Sequence, residues 1–174
     1  SKEKTAATDF DVKDVLTSDF SQFLKQAEID VLGVDKDGNV YAIDVAFHEG
    51  GLGYGKKVEA RDCVMKKFVR SYMIMLGCFP RKKCTVIFAS PKVDAAKQDL
   101  IMPALEELQA DARFKDQGIT FEYIANDKFK EEILDQTIEA SRDDADTNEL
   151  FLRSYKLISM PYTKPKRGKR KADH

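Results

Sequence analysis

Two short stretches of the chain set carboxylates among β-favouring apolar residues. Glu28 and Asp30 flank Ile29 ahead of Val31 and Leu32, and Asp44 stands between Ile43 and Val45, with His48 four residues further on. Side chains alternate along a strand, so Ala42, Asp44, Ala46 and His48 share one face. Tyr41, Ile43, Val45 and Phe47 form the apolar opposite face. On the preceding run Ile29, Val31 and Gly33 alternate with Glu28, Asp30 and Leu32. A carboxylate among apolar side chains is costly unless something pairs with it. Glu28, Asp30 and Asp44, brought together, are a hard oxygen set suited to Mg²⁺ or Mn²⁺. His48 is the one histidine besides the terminal His174, so imidazole chemistry falls to it and a multi-histidine zinc hydrolase is excluded. The three cysteines, Cys63, Cys78 and Cys84, contain no C-x-x-C pair. That argues against a disulfide framework or a thiolate zinc site, and for a reducing, cytoplasmic setting.

A second motif follows directly. Gly50-Gly-Leu-Gly-Tyr-Gly55-Lys56 matches G-x-x-x-x-G-K, the phosphate-cradling P-loop, and implies a nucleotide binder as an alternative. Lys57 stands where that motif has the Ser or Thr that holds Mg²⁺, and no later apolar strand ends in Asp. The plainer reading is a flexible glycine loop at the mouth of a site, whose amides can still meet a phosphate.

The elements that must position these groups are legible from periodicity. A helix is expected over 12–26, with Val15, Leu16, Phe20, Phe23 and Leu24 at helical spacing. Strands over 29–34 and 40–47 flank Asp35-Lys-Asp-Gly38-Asn39, which reads as a hairpin turn; its likeness to a calcium loop lacks the ligand spacing and the closing Glu. After the glycines a long helix runs to about Leu76, with Met65, Phe68 or Val69, Tyr72 and Leu76 on its apolar stripe. Lys66, Lys67 and Arg70 lie off that stripe. Then come a strand over 85–89, a helix over 94–113 that Pro103 should kink or split, a strand over 119–125, a helix to about Ala140, an acidic linker and a short helix over 148–157. The leading hairpin implies an antiparallel pair and the strand–helix–strand units imply parallel ones. An α/β fold with a mixed sheet flanked by helices accommodates both.

Glu28-Ile-Asp30-Val-Leu, a turn, and Tyr-Ala-Ile-Asp44-Val-Ala, followed by a long helix and a strand, resemble the PD-(D/E)XK nuclease superfamily of restriction endonucleases and Holliday-junction resolvases. The resemblance spans roughly residues 18–89. It implies a restriction-endonuclease-like sheet and a metal-dependent DNA endonuclease. Asp30 and Asp44 would hold Mg²⁺ or Mn²⁺, with the Val45 carbonyl as a further ligand and Glu28 assisting. The metal would polarise the phosphate and acidify a water. The superfamily's acid on the preceding helix has only Asp19 and Gln26 as weak counterparts. Ala46 occupies the superfamily's lysine position, so another cation must stabilise charge on the phosphate. The candidates are His48 and Lys56 or Lys57, because lysines displaced onto this helix are a known variation. The alternative is an inactive nuclease-fold domain that binds nucleic acid or a protein. Lys66, Lys67 and Arg70 are candidate phosphate contacts, although a solvated helix face is the commoner use of such residues.

Overall, 29 Lys and Arg oppose 30 Asp and Glu, for a net charge of -1. The sum conceals an asymmetry. Lys164, Lys166, Arg167, Lys169, Arg170 and Lys171, with Asp173 against them, give the end of the chain about +5 and leave about -6 on the rest. With 174 residues, a single domain over 1–158 and a basic, disordered tail over 159–174 are expected. In the tail, Lys166, Arg167, Lys169 and Arg170 can add salt-sensitive affinity for DNA. No apolar run is long enough to cross a membrane. A homodimer, which cutting two strands would favour, is the remaining partner expectation.

Overall fold

The computed structural model describes residues 28–115, 118–142 and Tyr155. The expected helix over 12–26 with Asp19 and Gln26, the acidic linker, most of the expected 148–157 helix and the basic tail lie outside those residues. The chain divides into two units after Ile133.

The first unit is built on a four-stranded sheet: β1 (Val31–Val34), β2 (Val40–Val45), β3 (Cys84–Ser90) and β4 (Ile119–Ala125), in spatial order β1-β2-β3-β4. β1 and β2 are antiparallel, whereas β2, β3 and β4 run parallel. This is the mixed sheet that the sequence predicts. The hairpin turn is closed by Asp35, whose carboxylate accepts hydrogen bonds from the N–H groups of Asp37 and Asn39, the Asn39 amide and the Tyr41 hydroxyl. Gly38 supplies the left-handed residue at φ +78°. The Asp35 oxygens are therefore committed to the turn.

Helix α1 (Lys57–Cys78) connects β2 to β3, and α2 (Ala95–Ala110) connects β3 to β4, with a further turn α3 (Ala112–Lys115) before β4. Both crossovers step in the same direction across the sheet. Right-handed connections then place α1 and α2 side by side on one face, and the two helices do pack together. The core lies in that layer. Val64, Met65, Phe68, Val69 and Met75 of α1 and Ile101 and Leu108 of α2 are buried against Ala42, Val86 and Phe88. Phe68, Phe88, Phe121, Tyr72 and Phe114 form a continuous ring cluster with centroids 4.7–6.2 Å apart.

Hydrophobicity alone would turn the bulky Tyr41, Ile43, Val45 and Phe47 face of β2 inward. The opposite face is the buried one: Ala42 is 0% and Ala46 3% exposed, whereas Phe47 is 75% exposed. Two alanines leave room for α1 to approach the sheet closely, and the volume comes from helix side chains instead.

Several element boundaries differ from expectation, β1 for one starting at Val31 rather than Ile29. β2 ends at Val45, two residues early. The helix over 94–113 is not split at Pro103 but ends at Ala110. The carbonyl that Pro103 leaves without a helical donor belongs to Asp99, an exposed residue that water can satisfy. The helix expected to reach about Ala140 is present, with α4 (Asp127–Phe129), a π-helical stretch over Lys130–Leu134 and α5 (Asp135–Arg142) following one another without a gap.

Candidate functional site: a buried carboxylate held by a helix lysine

Asp44 lies near the C-terminal end of β2 on the helix-covered face and is 1% exposed. Ionised, it needs compensating partners, and α1 provides two. Lys67 Nζ stands 3.0 Å from Asp44 Oδ1, and the Ser71 hydroxyl donates to Oδ2 at 2.7 Å. Lys67 and Ser71 are four residues apart, one helical turn, so their side chains rise from one stripe of α1. Ser71 is itself fully buried, and the Lys67 side chain keeps 25% exposure. Burial pulls the Lys67 ammonium toward the neutral form. The hydrogen bond and charge of Asp44, aided by Tyr54 and Asp30, outweigh it and raise its pKa, so the lysine stays charged at neutral pH.

The β1–β2 register pairs Val31 with Ile43 and Leu32 with Ala42. Asp30 is a bend residue immediately before Val31, so it stands at the same end of the hairpin as Asp44. Asp30 is exposed, and its Oδ2 accepts the Val45 N–H at 2.7 Å. The two acids are thus brought to one end of the hairpin, one lining the interior and one at the surface. Glu28 is exposed just before them.

The loop between β2 and α1 closes the same end. His48 is exposed, its ring edge-on to Tyr54 at 5.7 Å, and Tyr54 leans on Phe88 at 6.5 Å. Burial raises the Tyr54 pKa. Lys67 opposes that shift, and Cys63, Asp44 and Asp30 reinforce it, which places the phenol within the electrostatic reach of both acids and the lysine. Four hydrogen bonds tie this loop to itself and to its surroundings. Gly51 N–H donates to the His48 carbonyl, Leu52 N–H to the Lys92 carbonyl, and Lys97 Nζ to the Leu52 carbonyl at 2.6 Å, while Leu52 itself is 1% exposed. Lys56 N–H donates to the Glu59 carboxylate at 2.8 Å. Three loop amides that a phosphate cradle would use therefore already have protein acceptors.

Among the sequence candidates, Asp30, Asp44 and His48 gather at this end of the sheet. Lys56 and Lys57 do not reach Asp44. They are exposed at the start of α1, about 15 Å along the helix axis from Lys67 at 1.5 Å per residue. Lys66 is exposed and Arg70 half-buried on the same helix. Lys166, Arg167, Lys169 and Arg170 lie outside the described residues. Sequence reasoning assigned Lys67 only to phosphate binding and overlooked Ser71 and Tyr54. The available signal was Ser71, a polar residue between the apolar positions Phe68, Val69 and Tyr72, one turn after a lysine.

Among the described residues, no three His, Cys, Asp or Glu side chains converge on a metal-sized point. The hard oxygen donors at this end of the sheet are the carboxylates of Asp30 and Asp44. Each Asp44 oxygen accepts one hydrogen bond and retains lone-pair capacity, and Mg²⁺ is commonly held by one or two carboxylates with water and phosphate oxygens completing its shell. Comparison of the chain with protein-family models, curated proteins and solved structures finds no match.

Proposed function

We propose that the chain is a metal-dependent DNA endonuclease of the PD-(D/E)XK kind, in which Lys67 on the helix takes the role of the lysine missing at Ala46. The observation that carries this reading is the Lys67 ammonium 3.0 Å from buried Asp44, beside Asp30. Asp30 and Asp44 would hold Mg²⁺ or Mn²⁺, which supplies Lewis acidity toward a phosphodiester and a bound water of lowered pKa. Ser71 fixes the Asp44 carboxylate in one orientation through a charge-assisted hydrogen bond. Lys67 keeps a positive charge poised where negative charge grows on the phosphate oxygens. His48, exposed and edge-on to Tyr54, would orient water or take up a proton. No helix among the described residues is long and apolar enough to cross a membrane. A cytoplasmic setting, supported by the free thiols of Cys63, Cys78 and Cys84, and a homodimer belong to the same proposal.

The full chain should nick or linearise plasmid DNA with Mg²⁺ or Mn²⁺, and a chelator should stop it. Asp30→Asn and Asp44→Asn should abolish cleavage, and Lys67→Met should slow it about 100-fold or more, the usual effect of losing one preorganised charge-stabilising group. Ala46 favours a second reading, a nuclease-fold domain that binds nucleic acid or a protein without catalysis. Absence of cleavage with either metal on plasmid, branched and single-stranded DNA would sink the enzyme and leave that second reading.

A further inference from the structure

Lys56 and Lys57, expected from the sequence to serve catalysis, line a different feature. Together with Val58, Glu59, Asp94 and Lys97 they surround an open groove of about 690 Å³ between the first turns of α1 and α2. Its floor is Val58, 39% exposed, with the aliphatic stems of the lysines around it. Both acids are already engaged. Glu59 accepts the Lys56 N–H, and Asp94 caps α2 through the Lys97 N–H while pairing with Lys97 Nζ at 3.2 Å. Lys97 spends a second donor on the Leu52 carbonyl, which leaves one of its three. The ammonium groups of Lys56 and Lys57 are exposed at the rim. An apolar floor under a cationic rim suits a sugar–phosphate unit: the sugar or base edge covers the floor and the phosphate meets the ammonium groups.

The anchored glycine loop separates this groove from Asp44, Asp30 and His48. Leu52 ties to Lys97 on one side, and two residues later Tyr54 meets His48 on the other. On the nuclease reading, a strand that crosses the acids would pass over the loop into the groove. The separation of about 15 Å along α1 corresponds to about four base steps at 3.4 Å per strand step. We propose that the groove at the start of α1 and α2 seats the DNA backbone roughly four nucleotides from the scissile phosphate, with Lys56 and Lys57 as its phosphate contacts. The proposal rests on the nuclease reading for the identity of the strand, and Lys56 and Lys57 then act in binding rather than in chemistry.

The test is binding of fluorescently labelled duplex DNA by the full chain over a salt series, in chelator and again with calcium. Two phosphate contacts contribute about 1.8 to the slope of log K against log salt. Lys56→Ala/Lys57→Ala should remove that amount and weaken binding about tenfold or more at low salt. Lys82→Ala/Lys83→Ala, which removes two exposed lysines at the opposite end of β3, should leave the slope unchanged. With duplexes too short to extend four steps past the acids, the effect of Lys56→Ala/Lys57→Ala should disappear. An unchanged slope, or an equal loss in the Lys82/Lys83 pair, overturns the groove while leaving the nuclease reading in place. Failure of the wild-type chain to bind DNA under either condition overturns both.

Discussion

Replacing Lys67 by Met keeps most of the aliphatic stem and removes the ammonium from Asp44. Asp44 is 1% exposed and would retain only the Ser71 hydroxyl. Removing one partner of a fully buried ion pair typically costs ~3–5 kcal/mol. Here the lysine side chain is 25% exposed, so water can partly replace it. Screening of that kind lowers the expected cost to ~1–3 kcal/mol. Urea unfolding of the full chain, Lys67→Met, Asp44→Asn and the double variant would measure it. The double variant should be more stable than the two single losses predict, by ~1–2 kcal/mol of coupling. The folded-state pKa of Lys67 is raised above the ordinary 10.5, so the pair's contribution is complete below 10.5 and is lost as pH climbs through the higher folded value. The gap between wild type and Lys67→Met should therefore be constant from neutral to mildly alkaline pH and close only in strong alkali. A Lys67→Met protein within ~0.5 kcal/mol of wild type, with no coupling to Asp44→Asn, would refute the claim that this lysine neutralises the buried acid.

Other outcomes follow from the same contacts. Ser71→Ala removes a 2.7 Å bond to a buried carboxylate and should cost ~2 kcal/mol in urea unfolding. Tyr123 has a buried hydroxyl without a hydrogen-bond partner among the described residues, and its ring stacks on Phe88 at 6.0 Å. Tyr123→Phe keeps the stack and drops the unsatisfied group, so it should be neutral or stabilising by up to ~1 kcal/mol. Hydrogen bonds from Arg113 lower the Asp111 carboxyl from 3.8 to about 2. The stability difference between wild type and Asp111→Asn should then be full above pH 3.8 and vanish as pH falls through about 2, measurable by thermal unfolding across that range.

The sequence determined the architecture of the first unit because its signals are local. Asp35 and Gly38 specify the turn, alternation specifies the hairpin strands, and strand–helix–strand spacing specifies parallel neighbours, which together give a mixed sheet, whereas the order of its strands came only from the tertiary structure. The same alternation set Asp44 with Ala42 and Ala46 on one face of β2, and Asp30 with Glu28 and Leu32 on one side of the preceding run. Local signals did not decide which face is buried. The bulky side of β2 is the more open one, because Ala42 and Ala46 admit α1, a contact between elements far apart in the chain. Nor did they decide which cation meets Asp44. Lys56, Lys57, Lys66 and Lys67 are equivalent by type, and proximity to the glycines favoured the first two. The rotation and depth of α1 against the sheet select Lys67, one turn before the buried Ser71, and carry Lys56 and Lys57 to a groove about 15 Å away. The acids were legible from their strands, whereas their partner was fixed only by packing, since a helix sets the spacing of its side chains but not the direction its stripe will face.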